Sequence, residues 1–171
     1  ITKLLKGYGI DIVGVTKVSN GSMEIAKTFI EGGIKVIGDS KIENLKAYKS
    51  LPAKKMLLRI PMISEAEDVV SYADISLNSE IDTMKALSKE AEKMGKRHEV
   101  ILMIDVGDLR EGIFYENELM ETVEEVLNYR GIKLTGIGTN LTCFGAIIPS
   151  KENLGKLVLI RDNINRKFNI N

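Results

Sequence analysis

Short apolar runs alternate with longer stretches of helical periodicity along the whole chain. The runs are rich in β-branched residues and predict six strands, at residues 11–16, 35–38, 55–60, 74–78, 99–107 and 133–142. The stretches that follow them repeat apolar residues every three or four positions and predict amphipathic helices, at residues 22–33, 40–50, 64–73, 79–96, 116–131 and 150–168. Ser22 and Ser64 are predicted helix N-caps.

This alternation predicts an α/β fold with a parallel sheet. The strands are continuous apolar runs, which indicates burial on both faces, and strands joined by helical crossovers lie parallel. The candidates are a (β/α)8 barrel of the TIM type and an open doubly wound sheet. The absence of a GxGxxG motif after the first strand weakens the second. A barrel needs eight strands and about 250 residues, so residues 1–171 are predicted to form a partial barrel of six βα units, lacking the last two.

In parallel α/β folds the chemistry lies at the carboxyl ends of the strands. Several polar residues of this sequence follow its predicted strands, namely Thr16, Lys17, Asp39, Arg59, Asn78, Asp105, Arg110, Thr139, Asn140 and Cys143. We therefore expect a functional site at this end of the sheet. His98 precedes the fifth strand, at the opposite end, and is predicted to be structural or solvent-facing.

Lys17 is the most informative of these residues. A lysine amine that is partly desolvated near other cations, for which Arg59 and Arg110 are candidates, can form a Schiff base with a carbonyl compound. The spacing alone also fits an ordinary surface lysine just beyond a strand. Likewise, the arginine in "DVGDLREG" (105–112) suits a phenolate or carboxylate oxygen, but also a surface ion pair.

Composition narrows the classes of function. Lysine plus arginine and aspartate plus glutamate number 24 each, which gives no reason to expect a nucleic-acid or membrane partner. One cysteine excludes an internal disulfide framework and fits a cytoplasmic protein. With one cysteine and one histidine, no metal site is predicted.

Three stretches resemble the barrel domain of the alanine racemase family of pyridoxal-phosphate enzymes, namely "VGVTKV" (13–18), "DVGDLREG" (105–112) and "GIGTNLTCFG" (136–145). "GDSKIENL" (38–45) resembles the smaller pyridoxal-phosphate homeostasis proteins with the same barrel, and "LLRIPM" (57–62), "ADISLNSE" (73–80), "DLREGI" (108–113) and "GTNLTC" (138–143) are most similar to the ornithine racemase group. The resemblance implies that Lys17 binds the cofactor covalently and that Arg110 contacts its phenolic oxygen. Thr139 and Asn140 would also adjoin the cofactor. Alanine racemases usually carry a histidine where Asn140 stands, which argues against alanine as the substrate.

The implied activity is interconversion of L- and D-amino acids, with Lys17 as acid and base on one face of the substrate. In the family the second acid–base group is a tyrosine from the C-terminal domain of a partner subunit, so the full-length protein is expected to be a homodimer. Cys143 is a weaker candidate for that role, and Arg59, Asn78 and Asp39 are candidate readers of the substrate side chain.

Ile1 and the helical pattern that continues to the last residues predict a piece of a longer chain, without the C-terminal domain. The family binds the cofactor phosphate with loops after strands seven and eight. Residues 1–171 alone are therefore expected to bind pyridoxal phosphate weakly and to be inactive. Two alternatives stay open: a non-catalytic cofactor-handling protein with the same barrel, and a cofactor-independent enzyme in which Lys17 attacks a carbonyl substrate.

Overall fold

A computed structural model describes residues 1–114, 116–142 and 147–170. The strands are β1 (Val13–Val15), β2 (Val36–Asp39), β3 (Lys54–Leu57), β4 (Ile75–Asn78), β5 (His98–Met103) and β6 (Ile132–Gly138). The helices are α1 (Thr2–Lys6), α2 (Met23–Glu31), α3 (Ile42–Ala47), α4 (Ala66–Tyr72), α5 (Ile81–Lys93), α6 (Glu116–Leu127) and α7 (Lys151–Phe168). Two short 3₁₀ turns, Lys17–Ser19 and Ile63–Glu65, follow β1 and precede α4.

The six strands form one parallel sheet in the order β1-β2-β3-β4-β5-β6. A doubly wound sheet reverses its strand order at a switch point, whereas a barrel adds each strand beside the previous one. The sequential order therefore decides between the two predicted architectures. The chain has the fold of six βα units of a TIM-type barrel, as the sequence predicted.

Both faces of the sheet are apolar. On one face, buried strand residues such as Ile37, Leu57 and Leu102 pack against the helices. On the other face, Met56, Ile75, Leu77 and Met103 form a second cluster. The two sets alternate along each strand, because successive side chains of a strand point to opposite faces. This arrangement explains why the strands appear in the sequence as continuous apolar runs.

The helix starts only partly follow the predictions. The Ser22 hydroxyl accepts a hydrogen bond from the Ile25 amide at 3.4 Å and caps α2, as predicted. The prediction that Ser64 caps the next helix was wrong, because Ser64 lies inside the 3₁₀ turn and α4 begins only at Ala66. Within that turn the Glu65 carboxylate, rather than a serine hydroxyl, accepts a hydrogen bond from the Met62 amide at 3.1 Å.

Within the described part of the chain, every helix is too short or too polar to cross a membrane. Nor do the histidine, aspartate and glutamate residues described there gather into a group of three or more that could hold a metal ion.

Candidate active site at the carboxyl ends of the strands

Lys17 is the first residue of the 3₁₀ turn that follows β1, and it is exposed. Within the described residues its ammonium group has no hydrogen-bond or ion-pair partner. Asn20 (φ +49°) and Gly21 (φ +75°) then reverse the chain toward α2. β1 thus ends one residue earlier than predicted, and the turn presents an accessible amine at the carboxyl edge of the sheet.

Asp39, at the end of β2, is completely buried. Its Oδ2 accepts a hydrogen bond from Thr16 Oγ1 at 2.7 Å. Its Oδ1 accepts from the Lys41 amide at 3.0 Å and from Asn44 Nδ2 at 3.1 Å. These contacts hold the turn after β1 against the start of α3, so the carboxylate is already occupied by groups of this chain.

Arg59 follows β3 and forms a two-pronged ion pair with Glu65. Its Nη1 and Nη2 donate to the two carboxylate oxygens at 2.8 and 2.7 Å. Its Nε donates to the Ser40 carbonyl at 2.8 Å, which links the loops after β2 and β3. Hydrogen bonding from Arg59 lowers the pKa of Glu65 below its usual value, despite the opposing effect of burial. The guanidinium therefore braces two loops.

The loop after β5 folds back onto the strand it leaves. The buried Asp105 carboxylate accepts hydrogen bonds from the amides of Gly107 (2.7 Å) and Leu109 (3.2 Å). Ile113 then pairs with Ile104 in a parallel bridge. Gly112 has φ +112°, and a Cβ there would lie 2.7 Å from the Asp105 nitrogen. Glycine is needed at that position because the loop backbone passes so close to the strand.

Arg110 and Asn140 meet at the same carboxylate. Glu111 Oε1 lies 3.9 Å from Arg110 Nε and accepts a hydrogen bond from Asn140 Nδ2. The Arg110 side chain is about one-third exposed. Next to Asn140, the Thr139 hydroxyl is buried and has no hydrogen-bond partner within the described residues. The structure thus brings Arg110 and Asn140, both predicted to adjoin the cofactor, to one carboxylate, and Thr139 directly precedes Asn140 in the chain. The structure adds Glu111, which directly follows Arg110 but was not among the predicted site residues.

Asn78 lies on the helix side of the sheet. Its Nδ2 donates to the Ser76 carbonyl and hydroxyl oxygens at 3.1 and 2.9 Å, and the residue is fully buried. Ser76 in turn contacts His98, the first residue of β5, which is also buried. His98 is therefore structural, one of the two placements predicted for it, and is not solvent-facing. Cys143, the weaker acid–base candidate, lies outside the described residues.

A family model described as "Alanine racemase, N-terminal domain" matches residues 2–170. The chain belongs to this family. Among curated relatives, this family member is 46% identical over 170 residues to the ornithine racemase of Acetoanaerobium sticklandii, spanning 99% of the chain and 48% of the relative. It is 38% identical over 174 residues to the lysine racemase of Thermotoga maritima, with the same coverage of 99% and 48%. The chain therefore spans about half the length of these relatives.

Solved structures bear out the fold of this alanine racemase family member. The alanine racemase of Clostridium difficile 630 in complex with cycloserine superimposes with a TM-score of 0.76 over 95% of this chain and 46% of that one, at 19% identity. PipY of Synechococcus elongatus PCC7942, with PLP bound, superimposes with a TM-score of 0.75 over 92% of this chain and 76% of its own, at 13% identity.

Proposed function

We propose that this chain is the barrel part of a pyridoxal-phosphate-dependent amino-acid racemase. The observation that carries the proposal is the accessible Lys17 amine at the carboxyl end of the first parallel strand, in a chain that is 46% identical to an ornithine racemase over nearly its whole length. The last two βα units and a C-terminal domain would be supplied by the rest of the protein.

The donor set of the described residues fits the aldehyde and phenol part of pyridoxal phosphate. The Lys17 amine suits the aldehyde carbon, and the partly exposed Arg110 guanidinium suits the phenolic oxygen. Asn140, which shares Glu111 with Arg110, adds a polar group beside it, and the hydroxyl of the preceding Thr139 is unpartnered within the described residues. We assign the phosphate contacts to loops beyond the described residues.

In this proposal each residue has a limited task. Lys17 would hold the cofactor, and its amine would carry a proton to or from one face of the substrate α-carbon. Arg110 orients the cofactor through its phenolic oxygen, and Glu111 holds Arg110 and Asn140 together. The cofactor, when bound, supplies the electron sink that makes the α-proton removable. The second acid–base group would come from a partner subunit in a homodimer.

We further propose that the substrate is a small basic amino acid of the ornithine and lysine class and that the protein works in the cytoplasm. The two relatives that are 46% and 38% identical to this chain act, by name, on ornithine and lysine. The three residues predicted to contact the substrate side chain are less suited to that role than expected. The polar groups of Asp39, Arg59 and Asn78 already bind neighbouring loops and strands of this chain.

The alternative function is cofactor handling without catalysis. It is favoured by one observation, the superposition on PLP-bound PipY, of which this chain covers 76%. The two functions differ in a direct measurement on the full-length protein, namely exchange of the substrate α-proton for deuterium from the solvent. A racemase exchanges that proton on L- and D-ornithine, whereas a cofactor-handling protein leaves both unlabelled.

The site itself is tested on the present chain by mixing it with pyridoxal phosphate, reducing with borohydride and mapping the modified peptides. We expect the adduct to concentrate on Lys17 and to disappear from that peptide in Lys17→Arg, while Lys27→Arg, at an exposed position of α2, serves as the matched control. Adducts spread evenly over the surface lysines would contradict the assignment of Lys17.

A further inference from the structure

The turn that carries Lys17 is organised around the carbonyl of Thr16. That oxygen accepts hydrogen bonds from the Ser19 amide at 3.0 Å, the Gly21 amide at 3.2 Å and the Ser19 hydroxyl at 2.9 Å. The Thr16 amide donates to the Gly38 carbonyl at 3.0 Å, which continues the β1–β2 ladder. The orientation of Thr16 therefore fixes where the backbone of Lys17 leaves the sheet.

Thr16 is itself held by the Asp39 carboxylate. Both residues are fully buried, and the 2.7 Å bond from Thr16 Oγ1 to Asp39 Oδ2 is short enough for a strong charge-assisted interaction. A buried carboxylate is costly unless hydrogen bonds replace its lost hydration. The three donors that surround Asp39, from Thr16, Lys41 and Asn44, supply that replacement.

Asn44 extends the same network to the far side of the turn. While its Nδ2 donates to Asp39, its side chain occupies the space where a Cβ of Gly21 would stand, 2.4 Å from the Asn44 Cγ. Lys41 Nζ adds a contact to Asn20 Oδ1 at 3.1 Å. The beginning of α3 thus contacts the turn after Lys17 directly, and it reaches Thr16, before Lys17, only through Asp39.

We propose that Asp39 is a positioning residue for Lys17, acting through Thr16 and Asn44, rather than a reader of the substrate side chain. The carboxylate fixes the turn so that the amine leaves the strand in one direction, toward the bound cofactor. This inference rests on the proposed role of Lys17. Asp39 and Thr16 touch neither cofactor nor substrate in this assignment.

The test uses a matched pair at Thr16, because Asp39→Ala removes the acceptor of all three donors in the network and endangers folding. Thr16→Val removes the hydroxyl at nearly constant shape, and Thr16→Ser keeps it. Val69→Ala, in the core of α4, is the control for a general loss of stability. Two readouts are compared: the share of borohydride-trapped pyridoxal phosphate found on Lys17 among all lysines, and hydrogen exchange of the Ser19 and Gly21 amides.

We expect Thr16→Val to lower the Lys17 share about tenfold, since small displacements of a reacting group are costly, and to speed exchange of both amides. Thr16→Ser and Val69→Ala should leave the Lys17 share unchanged. An unchanged share in Thr16→Val would overturn the positioning role. If the unsubstituted chain shows no preference for Lys17, the proposed function fails in this chain, and amide exchange alone decides the inference. Equal exchange of the Ser19 and Gly21 amides in Thr16→Val and Thr16→Ser then overturns the inference. Faster exchange only in Thr16→Val supports it.

Discussion

His98 Nε2 and Ser76 Oγ lie 2.8 Å apart across the parallel pair of β4 and β5, and both residues are buried. Ser76 Oγ also accepts a hydrogen bond from Asn78 Nδ2 at 2.9 Å, so the serine proton is available for the imidazole. A neutral imidazole can accept it at Nε2, whereas a protonated ring has only donors. Burial lowers the pKa of His98 from 6.5 to about 4 and keeps the ring neutral, against weaker opposing effects led by the charge of Asp74.

The lowered pKa of His98 predicts a loss of stability in mild acid. The unfolded chain takes up the proton near pH 6.5, but the folded chain does so only near pH 4. The contribution of His98 is therefore fully present above pH 6.5 and decreases as the pH falls toward 4. The difference corresponds to about 3 kcal/mol. Urea unfolding at a series of pH values across this range measures it.

The matched variant for this experiment is His98→Gln, which keeps a polar group beside Ser76 but cannot be protonated. Its stability should be lower than that of the unsubstituted chain above pH 6.5 and should change less between pH 6.5 and pH 4. If the two proteins lose stability in parallel over this interval, His98 is not the group that responds to acid.

Gly112→Ala should destabilise the chain more than Gly107→Ala. Both glycines have positive φ, +112° and +130°, so alanine is strained at either position. Only at position 112 would the new Cβ also meet backbone, 2.7 Å from Asp105 N and from Ile104 C; at position 107 nothing lies within 4 Å. We expect a cost of about 1–3 kcal/mol at Gly107 and a larger one at Gly112, measured by chemical denaturation. Equal costs would contradict the close passage of this loop over β5.

Periodicity predicts the fold of this chain well because its strands are buried on both sides. Apolar residues such as Leu57 and Met56 face different clusters, and the sequence shows them as one continuous run. Strand ends are predicted less well. The run 133–142 predicts one strand, but β6 ends at Gly138, and the polar residues that follow belong to a loop. Helix α1 was missed because five residues carry too little periodicity.

The candidate site was predictable in its location, but several of its contacts were not. Strand order and the carboxyl-end rule bring Arg110 and Asn140 to one edge, but only coordinates reveal that Glu111 joins them. Asp39 and Arg59 were expected to face the substrate from their residue type and their position after a strand. Neither property says which way a side chain turns. Asp39 instead binds Thr16, which is distant in sequence, and Arg59 binds Glu65, which lies in a short 3₁₀ turn.

Arg59 and Glu65 should behave as one unit in a double-mutant cycle. Their two-pronged pair is partly buried, with side chains 30% and 19% exposed, so each single alanine variant should lose most of the shared interaction. We expect a coupling free energy of about 1 kcal/mol, measured by urea unfolding. Because Arg59 lowers the pKa of Glu65, this coupling should be present above pH 4.5 and fall at lower pH. Additive losses at neutral pH would leave Arg59 available for a ligand instead.

Arg110→Ala should weaken binding of pyridoxal phosphate by the full-length protein about tenfold or more, because a charge-assisted hydrogen bond contributes about 1.5–3 kcal/mol. Arg110→Lys should recover part of the affinity, since it keeps the charge but not the fork-shaped donor set. The exposed Arg130, in the connection between α6 and β6, provides the control variant Arg130→Ala. Absorbance titration gives the affinities, and melting temperature shows whether folding is intact. Equal affinities in Arg110→Ala and Arg130→Ala would remove Arg110 from the cofactor site. A lowered melting temperature in Arg110→Ala alone would instead give Arg110 a structural role, through its contact with Glu111 and Asn140.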